Sequence, residues 1–132
     1  MTWKELTEEV SALSSTITFS PDYIVGIVRG GIVPARLLSR NLNVKDMYCL
    51  TVKKVGDERK VTSDILEDLT NKKILLVEDM LETGKSLVVA KQYLEKKGAS
   101  VKIACLYSMP HSQVSPDFFL REIINVVSFP WE

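Results

Sequence analysis

The chain is poor in the residues that announce many common functions. It holds two cysteines, Cys49 and Cys105, far apart and with no CxxC pair. That spacing excludes a disulfide framework or a cysteine-based zinc site, and both residues are expected to be buried free thiols in strands. A single histidine, His111, sits in a polar loop after Met109-Pro110, as a surface residue would. Apolar runs stay well short of the roughly 20 residues that span a bilayer. The N-terminus, MTWKELTEEV, is acidic and amphipathic, unlike a secretion signal. No charge of one sign dominates: 17 basic side chains face 17 acidic ones. That balance argues against nucleic acid as a partner, because its phosphates require a basic excess. Repeats, linkers and low-complexity tracts are missing too. What remains is a 132-residue chain, long enough for one domain over 1–132. The cytoplasm is its expected compartment, with no membrane partner.

What is present alternates between two periods. Trp3, Leu6, Val10, Leu13 and Ile17 recur every three or four residues and mark a helix, opened by Thr2 and Glu5 as a capping box and ended by Ser20-Pro21-Asp22. Strands are expected at 23–28, 46–54, 73–77, 101–107 and 123–127, the first a continuous apolar run typical of a strand buried on both faces. Helices are expected from about Pro34 to Asn41 and from Ser86 to Lys97, where Gly98 stops the second. The segment 55–63 is polar and aperiodic and reads as a mobile loop. Strand–helix alternation predicts an α/β fold with a mostly parallel open sheet flanked by helices. Ligands of such sheets bind beyond the carboxyl ends of the strands, where the turns VRGG and VEDMLETGKS fall.

The second turn joins opposites. Thr83-Gly84-Lys85-Ser86 opens a helix, whose free N–H groups and positive end suit a phosphate. Glu78, Asp79 and Glu82 stand beside it. A nucleoside-triphosphate P-loop would need glycine five residues before Gly84, and that position is Asp79. Carboxylates instead suit the vicinal hydroxyls of a sugar or a hard cation such as Mg²⁺. The ligand implied is a sugar phosphate with a free diol, and ribose 5-phosphate fits.

Glu78 to Ser86 after an apolar strand resembles the phosphoribosyl pyrophosphate (PRPP) signature of type I phosphoribosyltransferases, nearest to the hypoxanthine-guanine and xanthine-guanine branch. Val28-Arg29-Gly30-Gly31-Ile32-Val33-Pro34-Ala35 resembles that branch's pyrophosphate loop, and Ser128-Phe129-Pro130-Trp131-Glu132 the end of its base-binding hood. The resemblance implies a phosphoribosyltransferase fold with a minimal C-terminal hood. It implies a Mg²⁺-dependent enzyme that converts PRPP and a free nucleobase, a purine by the nearest branch, to a nucleoside 5′-monophosphate and pyrophosphate. It places Thr83, Gly84, Lys85 and Ser86 on the 5-phosphate, Glu78 and Asp79 on the ribose hydroxyls and Mg²⁺, and Glu82 as the group that accepts the base proton. Arg29, Gly30 and Gly31 would hold pyrophosphate. The segment 53–63 matches a lid, from which Lys53, Lys54, Arg59 or Lys60 would neutralise pyrophosphate, with Lys54 as the catalytic candidate and Lys53 as the pyrophosphate ligand. At the base, Met109 stands where such relatives carry a lysine and Val126 where they carry an aromatic residue. That leaves the main chain at Val127 to read the base, with Tyr107, Phe118, Phe119 or Phe129 as stacking candidates. A homodimer or homotetramer follows by the same analogy. The altered base reader keeps a second reading open: a catalytically weak, PRPP- or nucleotide-binding regulator.

Overall fold

A computed structural model describes all of residues 1–132. Helix α1 (Trp3–Thr16) begins as its capping box requires, with the Glu5 N–H donating to the Thr2 hydroxyl at 3.1 Å. It stops before Ser20. The hydroxyls of Ser14, Ser15 and Thr16 turn back onto Ser11 and Leu13 carbonyls, a local alternative to further helix. Strand β1 (Tyr23–Val28) leads into α2 (Ile32–Asn41), then β2 (Met47–Val55). The segment expected to be a mobile loop instead folds back as β3 (Glu58–Val61), antiparallel to β2. Gly56, with φ +64°, and Asp57 make its two-residue turn, a pairing that favours tight hairpins. Val61 packs against the core, which anchors the returning strand.

Strand β4 (Lys73–Val77) is followed by a two-residue strand β5 (Met80–Leu81) inside what reads as a plain turn. Helix α3 (Lys85–Lys96) then leads through Gly98, with φ +93°, to β6 (Ser100–Ala104). The apolar run 101–107 is broken: β6 ends at Ala104 and a separate strand, β7 (Tyr107–Ser108), follows. The strand expected at 123–127 does not form. Only β8 (Arg121–Glu122) pairs, with β7, while Ile124 and Val126 project into solvent.

The main sheet runs β3-β2-β1-β4-β6, parallel except for β3; β5, β7 and β8 make a small parallel sheet. On β4 the apolar residues alternate strictly. Ile74 and Leu76 join a core with α3, and Leu75 and Val77 join another with α1 and α2. That sandwich is why the strand carries no polar residue after Lys73. Cys105 is buried as expected, but Cys49 is exposed on the less covered β2. Strand order reverses around β1, so the crevice lies at the carboxyl ends of β1 and β4. No helix is long and apolar enough to cross a membrane.

Candidate active site

At the end of β1, the Val28–Arg29 peptide is cis and the chain passes through Gly30 and Gly31 into α2. Both glycines are there because no side chain fits. A Cβ on Gly30 would stand 2.7 Å from the Asp79 carboxylate carbon, and one on Gly31 would lie 2.8 Å from the Ile27 backbone. Arg29 is thereby delivered to the same side of the sheet as the acidic turn. At the end of β4, Glu78 donates its N–H to the Ala104 carbonyl, and the Leu106 N–H donates to the Asp79 carbonyl. These bonds fix the acidic pair between β4 and β6.

Two adjoining cavities share this turn. The larger, about 680 Å³, is lined by Arg29, Gly30, Glu78, Asp79, Met80, Glu82, Trp131 and Glu132. The smaller, about 180 Å³, is lined by Glu78, Glu82, Thr83, Gly84, Lys85, Ser86 and Arg59 among others. Glu78, Met80 and Glu82 therefore form the partition. Gly84 has φ +79°, and a Cβ on it would stand 2.7 Å from Ser112 Oγ. The loop 109–116 clamps this turn, with the Gln113 N–H donating to the Thr83 carbonyl at 2.8 Å and the Met109 N–H to the Leu81 carbonyl at 2.8 Å.

The electrostatics are opposed across the partition. Glu78 is held well above the ordinary carboxylate range, first by burial and then by the charge of Asp79. Asp79 is also raised, by burial, although the Met80 N–H donates to its carboxylate at 2.6 Å and restrains the shift. Cys105, beneath them, is pushed up to about 12 by its own burial and by both acids. On the other side, Nη1 of Arg59 is buried and has no hydrogen-bond partner. A buried guanidinium N–H without an acceptor is costly and rare. Its setting is the pocket at the start of α3, which pools cationic Lys85 with the free N–H groups of a helix end. The site thus has an anion-seeking half and a half that favours hydroxyls or cations.

The hairpin register sorts the basic residues. Lys54 lies directly opposite Arg59, and Lys53 opposite Lys60. Residues directly opposite share a face, so Lys54 lies on the Arg59 side and Lys53 on the reverse. Neither lysine lines the two cavities. The base candidates are dispersed. Met109 is buried and lines a separate cavity of about 150 Å³ with Pro110, Phe119 and Glu122. Val126 is exposed and Val127 packs against the α1 side of the core; neither lines the two cavities. Tyr107 and Phe129 are buried, and Phe118 packs against that same core. In the larger cavity three wall residues carry no individual role in the sequence reading: Met80, and Trp131 and Glu132 of the hood-like ending.

Residues 2–132 match the family model of the phosphoribosyl transferase domain. The chain belongs to this family. Among phosphoribosyltransferases it is 26% identical to the xanthine-guanine phosphoribosyltransferase of Idiomarina loihiensis, over 100% of this chain and 85% of the relative. It is 28% identical to that of Desulfotalea psychrophila, over 100% and 84%. The crystal structure of a purine phosphoribosyltransferase from Pyrococcus horikoshii superposes with a TM-score of 0.92 at 35% identity, over 100% of this chain and 91% of that one. The fold expected from sequence, a mostly parallel sheet flanked by helices, is that of the family.

Proposed function

We propose that this phosphoribosyltransferase, one domain over residues 1–132, joins a purine base to PRPP and releases pyrophosphate. The observation that carries the reading is the partition itself. A buried, unpartnered guanidinium nitrogen of Arg59 and a helix N-terminus sit on one side, Glu78 stands in the partition, and Asp79 lies on the other side, both acids held above their ordinary range. In this reading the 5-phosphate occupies the smaller cavity, taking N–H groups at the start of α3, the Thr83 and Ser86 hydroxyls, Lys85 and Arg59. Glu78 and Asp79 accept hydrogen bonds from the ribose diol, and pyrophosphate lies against Arg29 and the Gly30–Gly31 backbone.

The bond from the anomeric carbon to pyrophosphate breaks as a base nitrogen bonds to that carbon, and the base N–H proton leaves. Glu82, exposed on the wall shared by both cavities, accepts that proton. Positive charge gathers on the ribose beside the acids while negative charge gathers on the leaving group beside Arg29. Catalysis is therefore mostly preorganised electrostatics and positioning. Lys54, on the Arg59 face of the hairpin, is the candidate to reach pyrophosphate; Lys53, on the reverse face, is the weaker one.

Mg²⁺ fits the donor set as a shared ion. Two carboxylates with raised proton affinity are available, and no group of three or more His, Cys, Asp or Glu forms a resident cage. Magnesium commonly takes one or two carboxylates together with substrate oxygens. Bound so, it would offset charge on the leaving pyrophosphate. Homodimer or homotetramer assembly and a cytoplasmic setting complete the proposal by family analogy.

The test is a product assay with purified protein, Mg²⁺, PRPP and adenine, guanine, hypoxanthine, xanthine, orotate or uracil. Nucleoside monophosphate and pyrophosphate are expected with at least one purine. Failure with every base would overturn the reading. The dispersal of Met109, Val126 and Val127 favours a second reading, a regulator that binds PRPP or nucleotide. Tight binding by calorimetry without turnover would select it.

A further inference from the structure

Trp131 is the one aromatic wall of the larger cavity, and it is held by a continuous stack. Its ring lies flat on Phe129, with centroids 4.7 Å apart and planes at 2°. Phe129 is buried and stacks on Tyr107 at 6.1 Å and 15°. The Tyr107 hydroxyl donates to Glu9 of α1 at 2.8 Å. Arg121 pairs with the same Glu9 oxygen and lies 5.0 Å over the Tyr107 ring. Trp3, also on α1, meets Trp131 at 6.2 Å with planes at 52°. The Met1 amino group donates to the Ser128 carbonyl at 3.4 Å. Thus three separate contacts from the first nine residues end on the 128–131 strap or its support.

The Trp3 contact lies outside the buried core that α1 joins. Leu6, Val10 and Leu13 are the buried residues that seat α1 on the core, whereas Trp3 remains 54% exposed. An exposed ring adds little to the core, so what Trp3 does, it does through Trp131. Glu9 holds two donors from the small hood sheet, tying β7 and β8 to α1.

We propose that α1 is a brace for the active site, with Trp3 and Glu9 as positioning residues that hold Trp131 and Glu132 against the ribose and pyrophosphate cavity. This rests on the phosphoribosyl-transfer reading of that cavity. Neither residue touches substrate; each acts through the stack. Loosening the wall weakens PRPP binding and leaves the reacting groups in place.

The experiment compares wild type with Trp3→Ala, Trp3→Phe and Glu9→Gln. Wild-type turnover with Mg²⁺, PRPP and the purine panel comes first. If it is absent, the transfer reading fails, and the brace is then tested by PRPP affinity alone, measured by calorimetry. With turnover, Trp3→Ala and Glu9→Gln are expected to raise the PRPP KM by about 3- to 10-fold, the worth of one aromatic or charged contact. The kcat should stay within about twofold and Trp3→Phe should restore KM, as expected when uniform binding alone is lost. The chain has two tryptophans, so Trp3→Phe leaves Trp131 as the sole reporter. Its emission should respond to PRPP, and in Trp3→Ala that response should weaken. Unchanged KM and affinity in folded Trp3→Ala and Glu9→Gln would overturn the brace. So would a kcat that falls only in step with the folded fraction.

Discussion

The two ends of the site are built to different standards. The end proposed for the phosphate stands on the five-stranded sheet and a three-turn helix, with buried Leu76 and Leu87 behind it and backbone bonds from the 109–116 loop across its turn. The end proposed for the base rests on strands two residues long and a segment whose Ile124 and Val126 are 82% and 62% exposed. A site needs rigidity where charge must be met by aimed dipoles, because reorganising them at the moment of reaction is what costs rate. The base is planar and largely neutral, and a lighter frame can hold it.

That contrast can be broken at several points. The largest expected effect is Asp79→Asn combined with Glu78→Gln, a loss of about 10³-fold in kcat/KM by the scale of preorganised electrostatic groups. A double variant within tenfold of wild type would show that the acids merely shape the turn. Gly30→Ala comes next. Its new Cβ collides with the Asp79 carboxylate, so a displacement of either loop should cost on the order of 100-fold in turnover. Arg59→Ala should raise the PRPP KM by about 10- to 100-fold, the worth of a charge-assisted hydrogen bond, with Arg59→Lys intermediate. Equal KM values would place the 5-phosphate elsewhere. At the base end, Val126→Ala should change kcat/KM for any purine by less than about threefold, as befits an exposed side chain outside both cavities. A larger change would mean that the hood reorganises when base binds.

The acids also leave a signature without substrate. Folding raises the proton affinity of Glu78 and Asp79. The stability they add is therefore fully present below the ordinary carboxylate values near about 4, and is lost as pH rises through their raised ones. Substrate-free protein should owe them a falling contribution from mildly acidic to neutral pH. Glu78→Gln should flatten that slope and raise the melting temperature at neutral pH by roughly 3–5 °C for each ~1 kcal/mol recovered. Thermal melts between pH 5 and 8 check this, and a parallel slope in the variant would refute it. Greater stability with lower activity is the expected mark of a functional site.

The phosphate end was legible because each of its demands is local. A strand buried on both faces must be continuously apolar, a helix start needs a cap or a ligand, and Gly84 at φ +79° is a turn residue wherever it occurs. The first strand of the hairpin is legible at 46–54, but the segment 55–63 reads as a mobile loop although Gly56-Asp57 carries a turn signal; the charges of Arg59 and Lys60 hide the returning strand. The strand expected at 123–127 failed for the opposite reason. Its apolar residues satisfy strand propensity, but the neighbouring edge, β7, is two residues long and pairs with Arg121 and Glu122, so pairing ends at the Ile123 N–H and propensity yields to context. Trp131 and Glu132 reach the cavity from a hood end far from the acidic turn in sequence, which no spacing rule reports.

The sequence by itself determined that two charged turns would lie at the carboxyl ends of parallel strands, and that one would offer amides to an anion and carboxylates to its neighbour. These follow from periodicity and from the chemistry of adjacent residues, properties a chain carries before it folds. Only the tertiary structure decided that Arg59 would turn a buried guanidinium nitrogen toward the start of α3, that Lys53 would face away from it, and that α1 would back the aromatic wall. Such facts depend on register and on which surfaces meet, and these are settled by contacts between residues that no local rule connects.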